Sequence, residues 1–421
     1  MINSCCVRNV KGKKVVPAVS FVILTLVLSS LRGIAADQPV SKISSYGSIV
    51  YSLVPNTLST PINKATLIGN ESSLSASETT YIANRFDFLM VPPFMDVSSL
   101  QQLKAKNPNM IVLAYRDIIG HGLVDLDWAT INQHEDWFVH DNSGNRIMDN
   151  NWGWLLMNIT NIGYQQRYVS YVNSQINNSG FDGVFADDCW NDFRTYENWN
   201  TSLSNIPSGF MNNLHNSMKV FLQYVKANIL PGKIVVVNTD EWRTHDYLDL
   251  ADGKMDEGFA HPPWESFSGY DARNMPQLLD SIARDSATGK IVWCFSGMII
   301  PKNPDQTILS QVASVTKYCY AAFLLGLNGS KACLQMTQYD SNDGSNGYYP
   351  IMDTNLGSPI GSYYESQNIY VRDFSLGKVL LNPSSNPYFI NLGSTYKFSN
   401  GTQVSNLTIA AQTGEILLNL G

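Results

Sequence analysis

Charge is scarce in this chain. Only 15% of its 421 residues are Asp, Glu, Lys or Arg, and the basic ones are fewer, 28 against 35 acidic. Arg8, Lys11, Lys13, Lys14 and Arg32 all fall in the first 35 residues, which hold no acid. The remainder is acidic, which excludes nucleic acid and anionic lipid as main partners, since both are gripped by a basic face. Cysteine is rarer still, with 6 in all. Cys5 and Cys6 lie in the N-terminal stretch, and Cys189, Cys294, Cys319 and Cys333 form no CxxC or metal spacing. They read as buried thiols, and a Cys294–Cys333 bridge requires neighbouring strands. His121, His134, His140, His215, His245 and His261 make no HExxH or HxH pattern. No Gly-rich loop has the spacing that cradles phosphate, and Gly-x-Ser-x-Gly is absent. Asp340 to Ser345 is a poor calcium loop, its Gly one place early, and reads as solvated. No metal and no cofactor are expected.

Apolar, aromatic and amide-bearing residues are plentiful. Residues 1–36 read as a signal peptide or membrane anchor: a basic start, an apolar run from Val15 to Leu31, then the small residues Gly33 to Ala36. The rest of the chain is then expected outside the cytoplasm, secreted or on the outer face of the membrane, with the membrane touched only through that anchor. Sequons at Asn70, Asn158, Asn177, Asn200, Asn328, Asn400 and Asn406 permit glycosylation there.

Eight short apolar runs follow. They begin near residues 47, 86, 110, 183, 233, 254, 291 and 332, and most are followed by amphipathic stretches. That alternation predicts an α/β fold, a (β/α)8 TIM barrel over 45–345. A long excursion, 118–157, interrupts it; Trp128, Trp137, Trp152 and Trp154 argue that it is ordered. From about residue 366 the helical period vanishes. Short alternating runs and the Asn400-Gly401 turn predict a small C-terminal antiparallel β-sandwich over 366–421.

The chemistry concentrates at strand ends, where barrels of this kind keep it. The central stretch is Gly183-Val-Phe-Ala-Asp187-Asp188-Cys-Trp190. If Gly183 and Phe185 point inward, so does Asp187. Tyr115, Arg116 and Asp117 end the third run, Asn238 to Trp242 the fifth, Glu257 the sixth. Trp154, Trp190, Trp242 and Trp264 add flat apolar surface. Carboxylates among aromatics suit sugar, whose C–H faces stack on rings while two carboxyl groups work at the anomeric carbon. Asp187 is the candidate nucleophile or base. Glu257 is the candidate acid, with Met255 and Phe259 expected to desolvate it; Asp188 and the aromatics are expected to bind substrate. Arg116 either binds a hydroxyl or pairs with Asp117.

Phe181 to Asp188, Met255-Asp-Glu-Gly-Phe259 and Arg372-Asp-Phe-Ser-Leu-Gly-Lys-Val-Leu-Leu-Asn-Pro383 together resemble the hypothetical glycosyl hydrolase families of (β/α)8 proteins, family 15 above all. The resemblance spans roughly residues 45–421. It implies a barrel with a C-terminal β domain, glycosidase activity and a nucleophile at Asp187. Its second acid follows strand five or six, so Glu241 competes with Glu257. The expected partner is a carbohydrate, a polysaccharide or surface glycan. The alternative is a non-catalytic glycan-binding or surface protein on the same barrel, which needs the aromatics but not the paired acids. An esterase or deacetylase lacks its serine or metal centre.

Overall fold

Eight parallel strands close into a barrel in the order β1 (Asn63–Leu67), β2 (Phe88–Val91), β3 (Ile111–Asp117), β6 (Gly183–Asp187), β7 (Ile234–Asn238), β8 (Gly253–Glu257), β9 (Ile291–Phe295) and β10 (Ala332–Gln335). The computed structural model describes residues 61–420 except 70, 178–179, 193, 195–197, 240–244, 271–273 and 337–346. Around the barrel lie α1 (Ala76–Arg85), α2 (Val97–Lys106), α4 (Ile162–Ile176), α5 (Ser208–Asn228), α7 (Met275–Ser286) and α8 (Gln306–Gly326), with the short α3 (Trp128–Ile131) and α6 (His245–Asp249) in loops. The fold is a TIM barrel, as the strand–helix alternation predicts.

Seven of the eight expected strands form where the apolar runs lie. The first does not. The run 47–53 lies outside the described residues, and the barrel is closed by β1, Asn63-Lys-Ala-Thr-Leu67, which pairs with both β2 and β10. Its sequence hides it. Ala65 fills the interior, while Lys64 on the outer face is buried in an ion pair with Asp353 at 2.6 Å rather than in an apolar helix contact. With a lysine and a threonine where a buried strand usually carries Val or Ile, no apolar run is left to read.

Side chains alternate in and out of the barrel wall. Ala65, Phe88, Met90, Leu113, Phe185 and Trp293 are among those filling the interior. The outward residues join two shells under the helices. Gly183 is required here, since a Cβ would sit 2.0 Å from the Ile234 carbonyl oxygen on β7. Alternation also settles the thiols. Cys294 and Cys333 stand on neighbouring strands but on opposite faces, since Cys333 faces Trp293 across the ladder and Cys294 faces Leu334. All four described cysteines are buried thiols.

The excursion after β3 is ordered. A ribbon of β4 (Gly120–Gly122) and β5 (Trp154–Leu156) ties its ends together. Beneath it the Asp127 carboxylate accepts from Arg116, His121 and Arg167 at 3.0–3.2 Å.

The C-terminal strands β11 (Tyr364–Ser366), β12 (Ile369–Phe374), β13 (Gly377–Asn382), β14 (Tyr388–Lys397), β15 (Gln403–Ile409) and β16 (Thr413–Asn419) form one antiparallel sheet in the order β11-β12-β13-β16-β14-β15. β14 meets β16 only through Tyr396 and Lys397. The sheet can therefore fold over a small core of its own, built on Ile369, Leu380, Ile390 and Leu417. The expected two layers are thus one continuous sheet. α8 is long and apolar enough to cross a bilayer, but it is largely buried between this sheet and the barrel. Arg372 locks that junction. Its buried guanidinium donates to the carbonyls of Leu324, Leu325 and Leu327, the free C-terminal carbonyls of α8, at 2.5–3.1 Å. Burial pulls its pKa down to about 10. Arg372→Met is expected to cost about 2–4 kcal/mol, because it strands three buried carbonyls. Guanidinium unfolding of the two proteins measures it, and an unchanged midpoint would remove Arg372 from that role.

Candidate active site

Four inward side chains meet at the C-terminal rim of the barrel: Tyr115, Asp187, Asn238 and Glu257. Each is the last or next-to-last inward position of its strand, so the strand period delivers all four to one mouth. Asp187 is buried. Its Oδ1 accepts from the Asn238 amide nitrogen at 2.9 Å and from the Asp188 backbone N–H at 3.0 Å. Its Oδ2 accepts from the Tyr115 hydroxyl at 2.8 Å. The same Asn238 nitrogen donates to Glu257 Oε2 at 2.6 Å. One NH2 group thus spans the two carboxylates, and the two bonded oxygens lie at most about 5.5 Å apart, the two bonds laid end to end. Only the amide face of Asn238, not its oxygen, can face two carboxylates, which fixes its orientation.

Asp117 pairs with Asp187 across β3 and β6. Its Oδ1 accepts the backbone N–H groups of Ile119 and Gly120 at 2.8 and 2.6 Å. Burial first, and the charge of Asp187 second, push its carboxyl up to about 7. Asp187 is also raised by burial, opposed by its hydrogen bonds from Asn238, Tyr115 and the Asp188 N–H. Burial and the same carboxylates lift Tyr115 well above the usual phenol range, so it stays a donor.

The backbone is strained where the chain leaves the barrel. Asp188 has φ 54° and Ala260 φ 58°, a left-handed conformation that costs a non-glycine residue on the order of 1 kcal/mol. At Asp188 the turn aims its N–H back at Asp187. Gly120 allows another close approach. A Cβ there would meet Asp117 Oδ2 at 2.2 Å and the Trp154 ring at 2.7 Å. Gly120→Ala is expected to displace one or both and to cost about 1–3 kcal/mol. Denaturation followed by indole fluorescence reports both effects, and a wild-type midpoint and spectrum would contradict them.

Residues 104–378 match the model of hypothetical glycosyl hydrolase family 15, a stretch well over half of the chain. The chain belongs to that family. No curated protein matches it. Among solved structures it is similar to Ega3 from Aspergillus fumigatus in complex with galactosamine, at 14% identity and TM-score 0.43 over 65% of this chain and 89% of that one. It is likewise similar to an α-amylase from Malbranchea cinnamomea, at 11% identity and TM-score 0.44 over 82% and 88%. A maltogenic α-amylase from Thermotoga neapolitana gives 13% identity and TM-score 0.46 over 76% and 80%.

The rim of this family member departs from the sequence expectations at several positions. Arg116 is not in the mouth. Between Tyr115 and Asp117 it must point outward, where it pairs with Asp127 at 3.1 Å and Asp125 at 3.5 Å and lies over the Tyr171 ring at 4.7 Å. The ion pair with Asp117 does not form; Asp125 and Asp127 engage the guanidinium instead. Trp190 is buried, packed with Trp154 and Trp199 at centroid distances of 5.5–5.9 Å. It is a wall support and not an open platform. Trp199, remote in sequence from any strand end, gave no signal of its own. Phe259 packs into the outer shell, while Met255, two residues before Glu257 on β8, lies in the interior. Trp264 is exposed, and its ring edge lies beside Gly258, next to Glu257. Asp188 is half-buried. Glu241 and Trp242 lie outside the described residues. No His, Cys, Asp and Glu group suited to a metal ion occurs among the described residues.

Proposed function

We propose that this chain is an exported glycoside hydrolase that cleaves a polysaccharide or surface glycan, with Asp187 as nucleophile and Glu257 as acid and then base. One observation carries the reading: a single amide nitrogen, that of Asn238, holds both carboxylates at the mouth of the barrel. The spacing it allows suits a retaining enzyme, whose two carboxyl groups stand about 5–5.5 Å apart. Three donors converge on Asp187, and a carboxyl that only accepts is arranged to carry negative charge. Glu257 is half-exposed at the mouth, where a leaving group can reach it. Trp264 beside it offers a face for a sugar ring.

The chemistry then runs in two balanced steps. An Asp187 oxygen bonds to the anomeric carbon as the glycosidic C–O bond breaks, and the Glu257 proton goes to the departing oxygen. Water then attacks the same carbon, gives its proton to Glu257, and the bond to Asp187 breaks. Glu241 is the competing acid. Export is supported by the basic and then apolar N-terminal stretch, as a cleaved signal or a retained anchor.

A panel of α- and β-linked oligosaccharides, with the anomer of the first product followed by NMR, tests this. Hydrolysis with retained configuration is expected. Inversion would remove the nucleophile role from Asp187. Saturable binding with no hydrolysis would make the chain a glycan-binding protein on a glycosidase barrel.

A further inference from the structure

The last inward residue of β10 is Gln335. It is wholly buried, and neither its amide nitrogen nor its amide oxygen has a hydrogen-bond partner among the described residues. Its ladder partners are Ala65 on β1 and Phe295 on β9, both interior residues, so its side chain faces the interior too. Phe295 is in turn level with Glu257. Gln335 therefore stands at the height of the proposed acid, two strands away along the wall. One layer down on β9 is Trp293, also wholly buried, whose indole N–H is unpartnered as well. Residues placed diagonally on neighbouring strands are within reach of long side chains. Two donor groups and one acceptor thus lie unused in the wall of one barrel, just under its mouth.

Buried polar groups are nearly always paired, and an unpaired one in a native protein calls for a reason. An apolar side chain of the same length would fill this place at no such penalty. The small Ala65 beside Gln335 keeps the neighbouring wall low. A hydroxyl both donates and accepts, so a single sugar hydroxyl answers both ends of a primary amide. We infer that Gln335 is a specificity-determining residue: its amide takes one ring hydroxyl of the sugar bound beside Asp187 and Glu257, with the Trp293 N–H as a second donor to that hydroxyl. The inference rests on the glycosidase reading and adds to it which wall of the barrel selects the sugar.

Gln335→Leu keeps the volume and removes both polar ends. Its melting temperature is expected to equal or exceed that of the wild type, because an unpaired amide has been taken out of the interior. Its kcat/KM on the best substrate is expected to fall on the order of 10- to 100-fold, the value of one sugar hydroxyl left unpaired. A series of monodeoxy substrates locates the contact. At one ring position the wild type should lose rate on deoxygenation while Gln335→Leu should not, a coupling that a merely structural residue does not show. Wild-type kcat/KM in the variant would overturn the assignment, and so would equal losses on every deoxy substrate. A variant that loses stability along with activity would mark Gln335 as a partner of internal water instead. If the wild type hydrolyses nothing, monosaccharide binding by calorimetry replaces the rate. The glycosidase reading has then failed, and the Gln335 assignment fails separately only if the variant binds the same sugars equally.

Discussion

Asp187→Asn is expected to lower kcat by on the order of 10³-fold or more and to leave the barrel folded. The substitution is isosteric. Its amide oxygen can still accept from Tyr115, and the losses fall on the nucleophilic anion and on the amide–amide encounter with Asn238. General acid–base or nucleophilic groups of this kind contribute at least about 10²–10⁴-fold, so the fall is far outside assay error. The melting temperature should move by only a few degrees. Azide, a small nucleophile that fits the space vacated by a charge, should restore turnover by attacking the anomeric carbon itself. Glu257→Gln should behave differently. It should spare substrates with leaving groups that need no proton, such as nitrophenyl glycosides, and lose the alkaline limb of the pH profile. If Asp187→Asn keeps wild-type kcat on every substrate, the assignment is wrong. If Glu257→Gln is as active as the wild type on unactivated glycans, the acid is another residue, Glu241 first.

The second large effect concerns stability and pH. Asp117 is buried beside Asp187, and its carboxyl is pushed from 3.8 up to about 7. Between those two values the folded protein holds a proton that the unfolded chain has released. Stability therefore falls as pH rises through that window and levels off above about 7. A shift of this size corresponds to about 4 kcal/mol at most. Asp117→Asn carries no charge to bury and keeps an oxygen for the N–H groups of Ile119 and Gly120. It is expected to be more stable than the wild type at pH 8, by about 2–4 kcal/mol, with the gap closing toward pH 4. Hydrolysis should fall at the same time, because a charge kept in an unfavourable place is what a working site demands. Chemical unfolding from pH 4 to 8 measures it. A pH-independent difference, or a variant less stable at pH 8, would show that Asp117 is not the group paying the penalty.

Both effects depend on groups whose positions were open to reading to different degrees. The chain itself determined the strand ends. Val184, Phe185 and Ala186 demand a strand buried on both sides, and period two then carries Asp187 to the inner face without any knowledge of the fold. The same period put Tyr115, Asn238 and Glu257 inside, and it also turned Arg116 out, a consequence the residue pair Arg116-Asp117 concealed because adjacent charges invite an ion pair. In α1 the structure closes a capping box between Ser75 and Glu78, a contact made within one turn of the chain.

Tertiary structure alone decided what those side chains meet. β1 became a barrel strand because two neighbours needed an edge closed, not because Asn63 to Leu67 is apolar. Trp199 joined Trp154 and Trp190 across a loop of no regular pattern. Gln335 took its place level with Glu257 only when eight strands had shut. Periodicity along one strand says which way a residue points. Which residues face each other across the barrel depends on the stagger between strands, and that is set by the closure of the whole ring, a property that no single segment encodes.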